Sequence, residues 1–403
     1  MINNKPNWLY EPTLQKLLTA LSNDNNTARV VGGAVRNNLL NIPFTDIDIA
    51  TTCTPDETIH YAENAGFKTK PTGKSHGTIS VIANHKCYEV TSLREDIATD
   101  GRHAVVKFSK DWSKDAERRD FTINALYMDK NGEIYDYTNG IEDIKKQNIR
   151  FIGDAETRIK EDYLRILRFF RFYTYYGKGA PNSEAILACT KLKGGLKNIS
   201  AERIWSETKK IISAPDPVKA ILWMRKSGVL DHILPETIKW GVDLLPALRQ
   251  AEIEYNWDIS ATPLVRLQAI IPKNIDVIDS LCKRLKLSNK EKNLLQSWYN
   301  INVNYDDVKL SKEIYLHGKD ALMADLKLKI AQLKQKHKPT ERYIELLICT
   351  SKLEVPTFPI RGQDLVNLNY TSGKEIGSNI NKLKEIWLQS NCQKTRQDLL
   401  EIL

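Results

Sequence analysis

The segment Arg29–Thr51, RVVGGAVRNNLLNIPFTDIDIAT, gathers residue types that handle phosphate. Gly32 and Gly33 have no Cβ, so backbone N–H groups can approach an anion there, at the entrance to a helix whose positive end points the same way. Arg36 follows one turn into that helix, with a planar fork suited to a phosphate oxygen. Asp46 and Asp48 come next in a β-branched run. Strand alternation places the two carboxylates on one face and sends Ile47 and Ile49 to the core. Two like charges so close repel unless a cation lies between them. A hard ion that keeps oxygen ligands and bridges phosphates suits them, and Mg²⁺ is such an ion.

Asp-x-Asp by itself is an ordinary solvated strand edge. Joined at this spacing to Gly-Gly and Arg, it resembles the signature of the nucleotidyltransferase superfamily, whose members move a nucleotidyl group to a hydroxyl and release pyrophosphate. That resemblance implies two Mg²⁺ ions, held by Asp46 and Asp48, and a third catalytic carboxylate on a neighbouring strand. Glu89 in CYEVTSLR occupies the matching position, with Tyr88 and Val90 facing away from it.

Further motifs narrow the likeness to the class II tRNA nucleotidyltransferases and bacterial poly(A) polymerases. Asp115–Asp129 (DAERRDFTINALYMD) resembles their Arg-Arg-Asp motif, which implies that Arg119 contacts nucleotide and Asp120 supports the ribose end. The run EDYLRILRFFR resembles their base-selecting helix and supplies Asp162, Arg165, Arg168 and Arg171. Steps of three put these four on a slowly drifting stripe of one helix face. Intrahelical pairs such as Arg158–Asp162 and Glu161–Arg165 account for the same residue types in a purely structural way. Chemistry favours selection: cytosine and adenine each offer an amino donor beside a ring acceptor, which a fixed carboxylate and a fixed guanidinium satisfy together. Uracil and guanine would leave buried groups unpaired, and such a site discriminates by up to ~10⁴–10⁵ without a template. The resemblance assigns that work to Asp162 and Arg165, and triphosphate contacts to Arg168 and Arg171. In ISAERIWSE it implies that Glu202 and Arg203 brace the helix from behind. One departure is Asn37, where the family commonly has Asp, which puts a local supporting hydrogen bond in question.

The resemblance leaves three products to compare: CCA added to the tRNA 3′ acceptor end from CTP and ATP, a poly(A) tail or a partial CC or A addition, and an inactive RNA-binding relative. Retention of Asp46, Asp48, Glu89 and Asp162 argues against the last. The stretch after DIDIAT lacks the strongly basic segment of the familiar poly(A) polymerases. Arg94–Trp112 resembles the flexible loop of enzymes that complete CCA. Both features favour CCA addition.

These residues must be positioned by two kinds of structure. Short β-branched runs alternate with turns up to about residue 150, and read as strands of one sheet. Beyond it nearly everything has helical spacing, punctuated by Pro215, Pro217, Pro263, Pro272, Pro356 and Pro359. The expected fold is therefore α+β: a nucleotidyltransferase head with a mixed sheet over residues 1–150, then a helical neck (151–214), body (215–351) and tail (352–403). A chain of 403 residues, 41% hydrophobic and 27% charged, is long enough for several such domains and too apolar for a disordered one. Lys+Arg 59 against Asp+Glu 50 leaves +9, which favours a polyanionic partner. Lysine-rich runs at 281–292 and 325–338 are the candidates for RNA phosphates. The six cysteines form no CxxC pair, and there is no apolar run of membrane length or secretory h-region, so the cytoplasm is the expected compartment.

Overall fold

The computed structural model describes residues 6–23, 25–83, 86–100, 103–258 and 263–403. It divides into two compact units: residues 1–214 with 222–233, and residues 215–221 with 234–403.

The first unit carries the strands β1 (Ala28–Val31), β2 (Asp48–Thr51), β3 (Lys68–Gly73), β4 (Thr78–Ala83), β5 (Lys86–Ser92), β6 (Arg94–Asp100), β7 (His103–Phe108), β8 (Leu126–Met128) and β9 (Ile134–Asp136). Around them run α1 (Pro12–Ala20), α2 (Gly33–Leu39), α3 (Pro55–Asn64), α4 (Trp112–Glu117), α5 (Gly140–Lys146), α6 (Ala155–Glu161), α7 (Arg165–Tyr176), α8 (Ser183–Leu192) and α9 (Ala201–Ile212). Seven strands form one sheet in the order β3-β4-β5-β2-β1-β8-β9. The sheet is mixed, because β2 pairs with β5 in parallel while its other described pairings are antiparallel. Val30, Ile49, Ile79 and Val90 fill its core.

One expectation is corrected here. The run AVVKF does not join the main sheet; it pairs with β6 in a separate antiparallel ribbon. The ribbon is the segment expected as a loop at Arg94–Trp112, and Gly101 and Arg102 at its centre lie outside the described residues.

Local chemistry fixes the elements that matter for the site. The strand-to-helix turn needs glycine at residue 32, whose φ is +71°. Thr54 and Glu57 cap α3 reciprocally behind β2. Helix α7 buries Ile166, Leu167, Phe169, Phe170 and Phe172. Phe121, the residue after Asp120, stacks into that face, with ring centroids 5.2 Å from Phe172 and 4.8 Å from Phe151. The sheet end and the arginine helix therefore share a core.

The second unit is helical. Helix Lys319–Gln335 lies at its centre, with Leu322, Leu326 and Ile330 packed beside Leu346 and Leu347. A separate cluster of Ile360, Leu365, Leu383, Trp387 and Leu399 holds the C-terminal helices together. Arg266 and Glu252 form an ion pair of 2.7 Å, each 1% exposed. Among the described residues no helix is long and apolar enough to cross a membrane.

Candidate active site

A cavity of about 820 Å³ opens in the first unit where β1, β2, α2 and α7 meet. Its lining includes Gly32, Gly33, Arg36, Asp46, Asp48, Arg119, Asp120, Asp162, Arg165, Arg168 and Arg171. Residues as far apart in sequence as Gly32 and Lys210 thus face one space. Glu89 is not part of that lining. It stands one strand over, in parallel register with Asp48, and its side chain is exposed while Tyr88 and Val90 are buried.

The acidic end is sparsely bonded. Asp46 precedes β2 and accepts a bond from the Thr45 hydroxyl at 3.2 Å; Asp48 opens the strand. Partial burial raises the Asp48 carboxyl above its ordinary range, and the neighbouring charges of Glu89 and Asp46 add to this against the opposing pull of Arg119. Excess negative charge of this kind fits a cation. The expected cage of three converging acids is not preformed, however: among the described residues no group of three or more His, Cys, Asp or Glu could hold a metal ion. Asp46 and Asp48 offer two carboxylates, which leaves the remaining positions of a Mg²⁺ ion to phosphate oxygens and water.

The opposite wall is densely bonded. Asp120 accepts from Arg168 Nε at 2.8 Å and from Asn124 Nδ2 at 3.0 Å. Burial pushes its carboxyl up, but Arg168 and Asn124 outweigh that and hold it below the usual range. Arg119 donates to Asp115 at 3.0 and 3.1 Å and to the Tyr127 hydroxyl at 3.2 Å. Arg171 pairs with Glu207 at 2.8 Å. Arg36 differs from these. It is 7% exposed, and among the described residues its fork bonds neutral oxygens: Asn124 Oδ1, Asn37 Oδ1 at 3.1 Å and the Tyr176 hydroxyl at 2.9 Å. Burial lowers its pKa, and Arg171 lowers it further. Asn37 does make a supporting bond, since its Oδ1 also accepts from Tyr176 at 3.2 Å.

The residues expected to select the base are arranged differently from the sequence reading. Asp162 does not share a helix with the three arginines. Helix α6 ends at Glu161, Asp162 is extended (φ −153°, ψ 106°), and α7 begins at Arg165. Aspartate competes for local backbone donors, and here Asp162 Oδ1 accepts from Leu164 N at 3.1 Å as the chain turns into α7. Its other oxygen accepts from Arg203 at 2.7 Å. Arg165 is held by Glu161 and by the Arg158 carbonyl, the latter at 2.6 Å. The Glu161–Arg165 pair therefore exists as the structural alternative supposed, whereas Arg158 pairs with Glu161 and not with Asp162. Behind Asp162, Tyr163 packs face-on to Gly195 so closely that a Cβ there would collide with the ring.

Sequence reasoning left out several lining residues. Asn124 and Tyr176 tie α2 to Asp120 and to the end of α7, and Phe44, Phe172 and Tyr175 supply aromatic wall. Asn124 was within reach, because it lies in the Arg-Arg-Asp motif; Tyr176 looks like any apolar residue of α7. Arg203, expected behind the helix, also reaches the cavity.

Comparison with known proteins gives a consistent answer. The family model described as "Poly A polymerase head domain" matches residues 28–150, and "Probable RNA and SrmB- binding site of polymerase A" matches residues 182–240. The structure of the CCA-adding enzyme of Bacillus stearothermophilus in complex with CTP is similar in fold, with a TM-score of 0.73 over 94% of each chain at 24% identity. The CCA-adding enzyme of Streptococcus pneumoniae is 32% identical over 92% of this chain and 91% of its own. The mitochondrial CCA tRNA nucleotidyltransferase 1 of Danio rerio is 36% identical over 93% of this chain and 86% of its own. At that identity and coverage, the chain belongs to the CCA tRNA nucleotidyltransferase family.

Proposed function

We propose that this protein completes the 3′ end of tRNA, adding C, C and A from CTP and ATP without a template. The observation that carries this reading is the shared cavity: the Asp46–Asp48 pair and Asp162 with Arg165 line the same space as Arg36, Arg168 and Arg171. A nucleoside triphosphate lying there presents its base to Asp162 and Arg165 and its phosphates to the arginines. Held in this way, the two groups accept from the exocyclic amine and donate to the ring nitrogen of C or A.

The 3′-hydroxyl of the RNA attacks the α-phosphate. A P–O bond forms, the α–β bridge breaks, and pyrophosphate departs toward Arg168 and Arg171. Glu89, in register with Asp48, is proposed to take or orient the hydroxyl proton. Asp46 and Asp48 would hold Mg²⁺, two ions on this reading, which would supply charge neutralisation for nucleophile and leaving group. Arg119 and Asp120 position the ribose end through Asp115 and Arg168.

Residues 1–150 act as head, 151–214 as neck, and 215–351 with 352–403 as the body and tail that grip RNA. Lys283, Lys290, Lys336 and Lys338 are exposed and suited to phosphate, whereas Arg284 and Lys334 already pair with Glu236 and Glu254. The chain works where tRNA matures, which is the cytoplasm or, as in its mitochondrial relatives, that organelle.

One assay tests the reading. tRNA ending at the discriminator base, supplied with labelled NTPs singly and together, gains three nucleotides and stops. A ladder from ATP alone would replace this reading with a poly(A) polymerase.

A further inference from the structure

Four aromatic side chains line the cavity of the first unit: Phe44, Phe172, Tyr175 and Tyr176. The three on α7 are already engaged. Arg171 and Arg36 lie over the Phe172 ring at 4.5 and 5.4 Å, and Arg36 lies over Tyr176 at 4.2 Å. Tyr175 is tilted onto Tyr176 and donates from its hydroxyl to the Lys210 carbonyl at 3.3 Å. Phe172 and Tyr176 thus support arginines that are proposed to hold phosphate.

Phe44 is placed differently. It is half-buried, and among the described residues its one aromatic partner is Trp8 and no cation is stacked on it. The two rings meet edge to face, with centroids 5.2 Å apart and planes at 87°. That geometry leaves at least one face of Phe44 uncovered by the indole. Trp8 is fixed in turn, because its indole N–H donates to Asn38 Oδ1 on α2 at 3.0 Å. Phe44 precedes Asp46 by two residues, so their Cα atoms are at most about 7 Å apart. A braced ring with a free face therefore stands beside the acidic pair and fronts the same space.

We propose that Phe44 stacks on the terminal base of the RNA being extended and so positions that end for attack. The proposal rests on the reading of this chain as a tRNA nucleotidyltransferase. Of the two reactants, the nucleoside triphosphate has its base assigned to Asp162 and Arg165 and its phosphates to the arginines. The other reactant must bring its 3′-hydroxyl to Asp46 and Asp48, and its last base is carried on the same ribose. An aromatic face has no hydrogen-bond code, and stacking on it tolerates every base. Such tolerance suits an end that changes with each addition, from the discriminator base to C and then to C again.

The test is a binding cycle with the full chain and tRNA ending in CC, its last cytosine either present or removed to leave an abasic nucleotide. In a filter assay the parent binds the abasic RNA about tenfold more weakly than the intact one. Phe44→Leu keeps apolar bulk but no π face, and it binds both RNAs alike, as weakly as the parent binds the abasic one. Phe44→Tyr regains the difference. A ring that merely packs the loop before Asp46 would weaken both RNAs equally in Phe44→Leu and keep the tenfold difference, which overturns the proposal. A parent that does not distinguish the two RNAs overturns it as well, whether or not Phe44→Leu folds. A rise in the KM for CTP in Phe44→Leu with the RNA difference intact would assign the ring to the incoming base and overturn it too. Failure of the parent to extend tRNA at all would instead strike the catalytic reading, since the binding cycle does not depend on turnover.

Discussion

The two ends of the catalytic cavity are built in opposite ways. At the β2 end, Asp46 and Asp48 make few bonds, and desolvation together with the charges of Glu89 and Asp46 opposes the ionisation of Asp48. Along α7, Arg165, Arg168 and Arg171 are each tied to a carboxylate, and Asp162 is tied to Arg203. The comparison teaches where rigidity is needed. On the proposed reading, base choice depends on fixed hydrogen-bond directions, so its residues are braced before substrate arrives. Carboxylates proposed to hold a metal would be completed by what binds to them, so bracing them beforehand is unnecessary.

The largest expected effect breaks the acidic end alone. Asp48→Asn lowers CTP incorporation by about 10³-fold or more, as loss of a metal ligand should. Because the folded pKa of Asp48 is raised, its ionised form is disfavoured by folding. The variant therefore has an equal or higher Tm at neutral pH, and this gain vanishes below the unfolded carboxylate value of about 3.9. Thermal unfolding followed across that pH range checks the sign.

On the braced wall the order of effects is reversed. Asp120→Asn removes the charge partner of the half-buried Arg168 and lowers stability by about 2 kcal/mol, as loss of a charge-assisted hydrogen bond should, read as a shift in urea midpoint. Arg203→Ala releases one oxygen of Asp162, and discrimination of CTP and ATP against UTP and GTP falls about 10–100-fold in single-nucleotide incorporation. If Arg203→Ala instead lowers all four rates equally, the bracing role is wrong. Acid gives a graded check: Asp115 and Asp120 have lowered pKa values, so their contribution is complete above about pH 4 and is lost as pH falls through those values. The smallest effect is expected from Tyr176→Phe, which removes one hydroxyl between Arg36 and Asn37. It costs about 1 kcal/mol and raises the KM for CTP a few-fold.

Much of this was legible in the sequence because it was local. Alternation revealed β1, β2, β4 and β5, and the Asp48–Glu89 relation came from the family resemblance, with alternation agreeing. β3 escaped because KTKPTG is an edge strand with a proline and almost no buried residue, so it carries no alternation. The break at Asp162 escaped for a different reason. Spacing by threes continues smoothly across it, and only the backbone bond from Leu164 to the aspartate shows that one helix has ended and another begun. Arg203 and Tyr176 act through contacts across the fold, 41 and 139 residues distant from their partners, which no periodicity can announce.

The packing of Tyr163 on Gly195 has a consequence for how this enzyme would fail. The glycine lies in a short turn outside the cavity lining, yet a single methyl added there would lift the tyrosine and rotate the neighbouring aspartate away from its guanidinium clamp. Such a lesion would not silence the enzyme. It would make the protein careless, writing wrong letters onto RNA ends while its chemistry stayed intact.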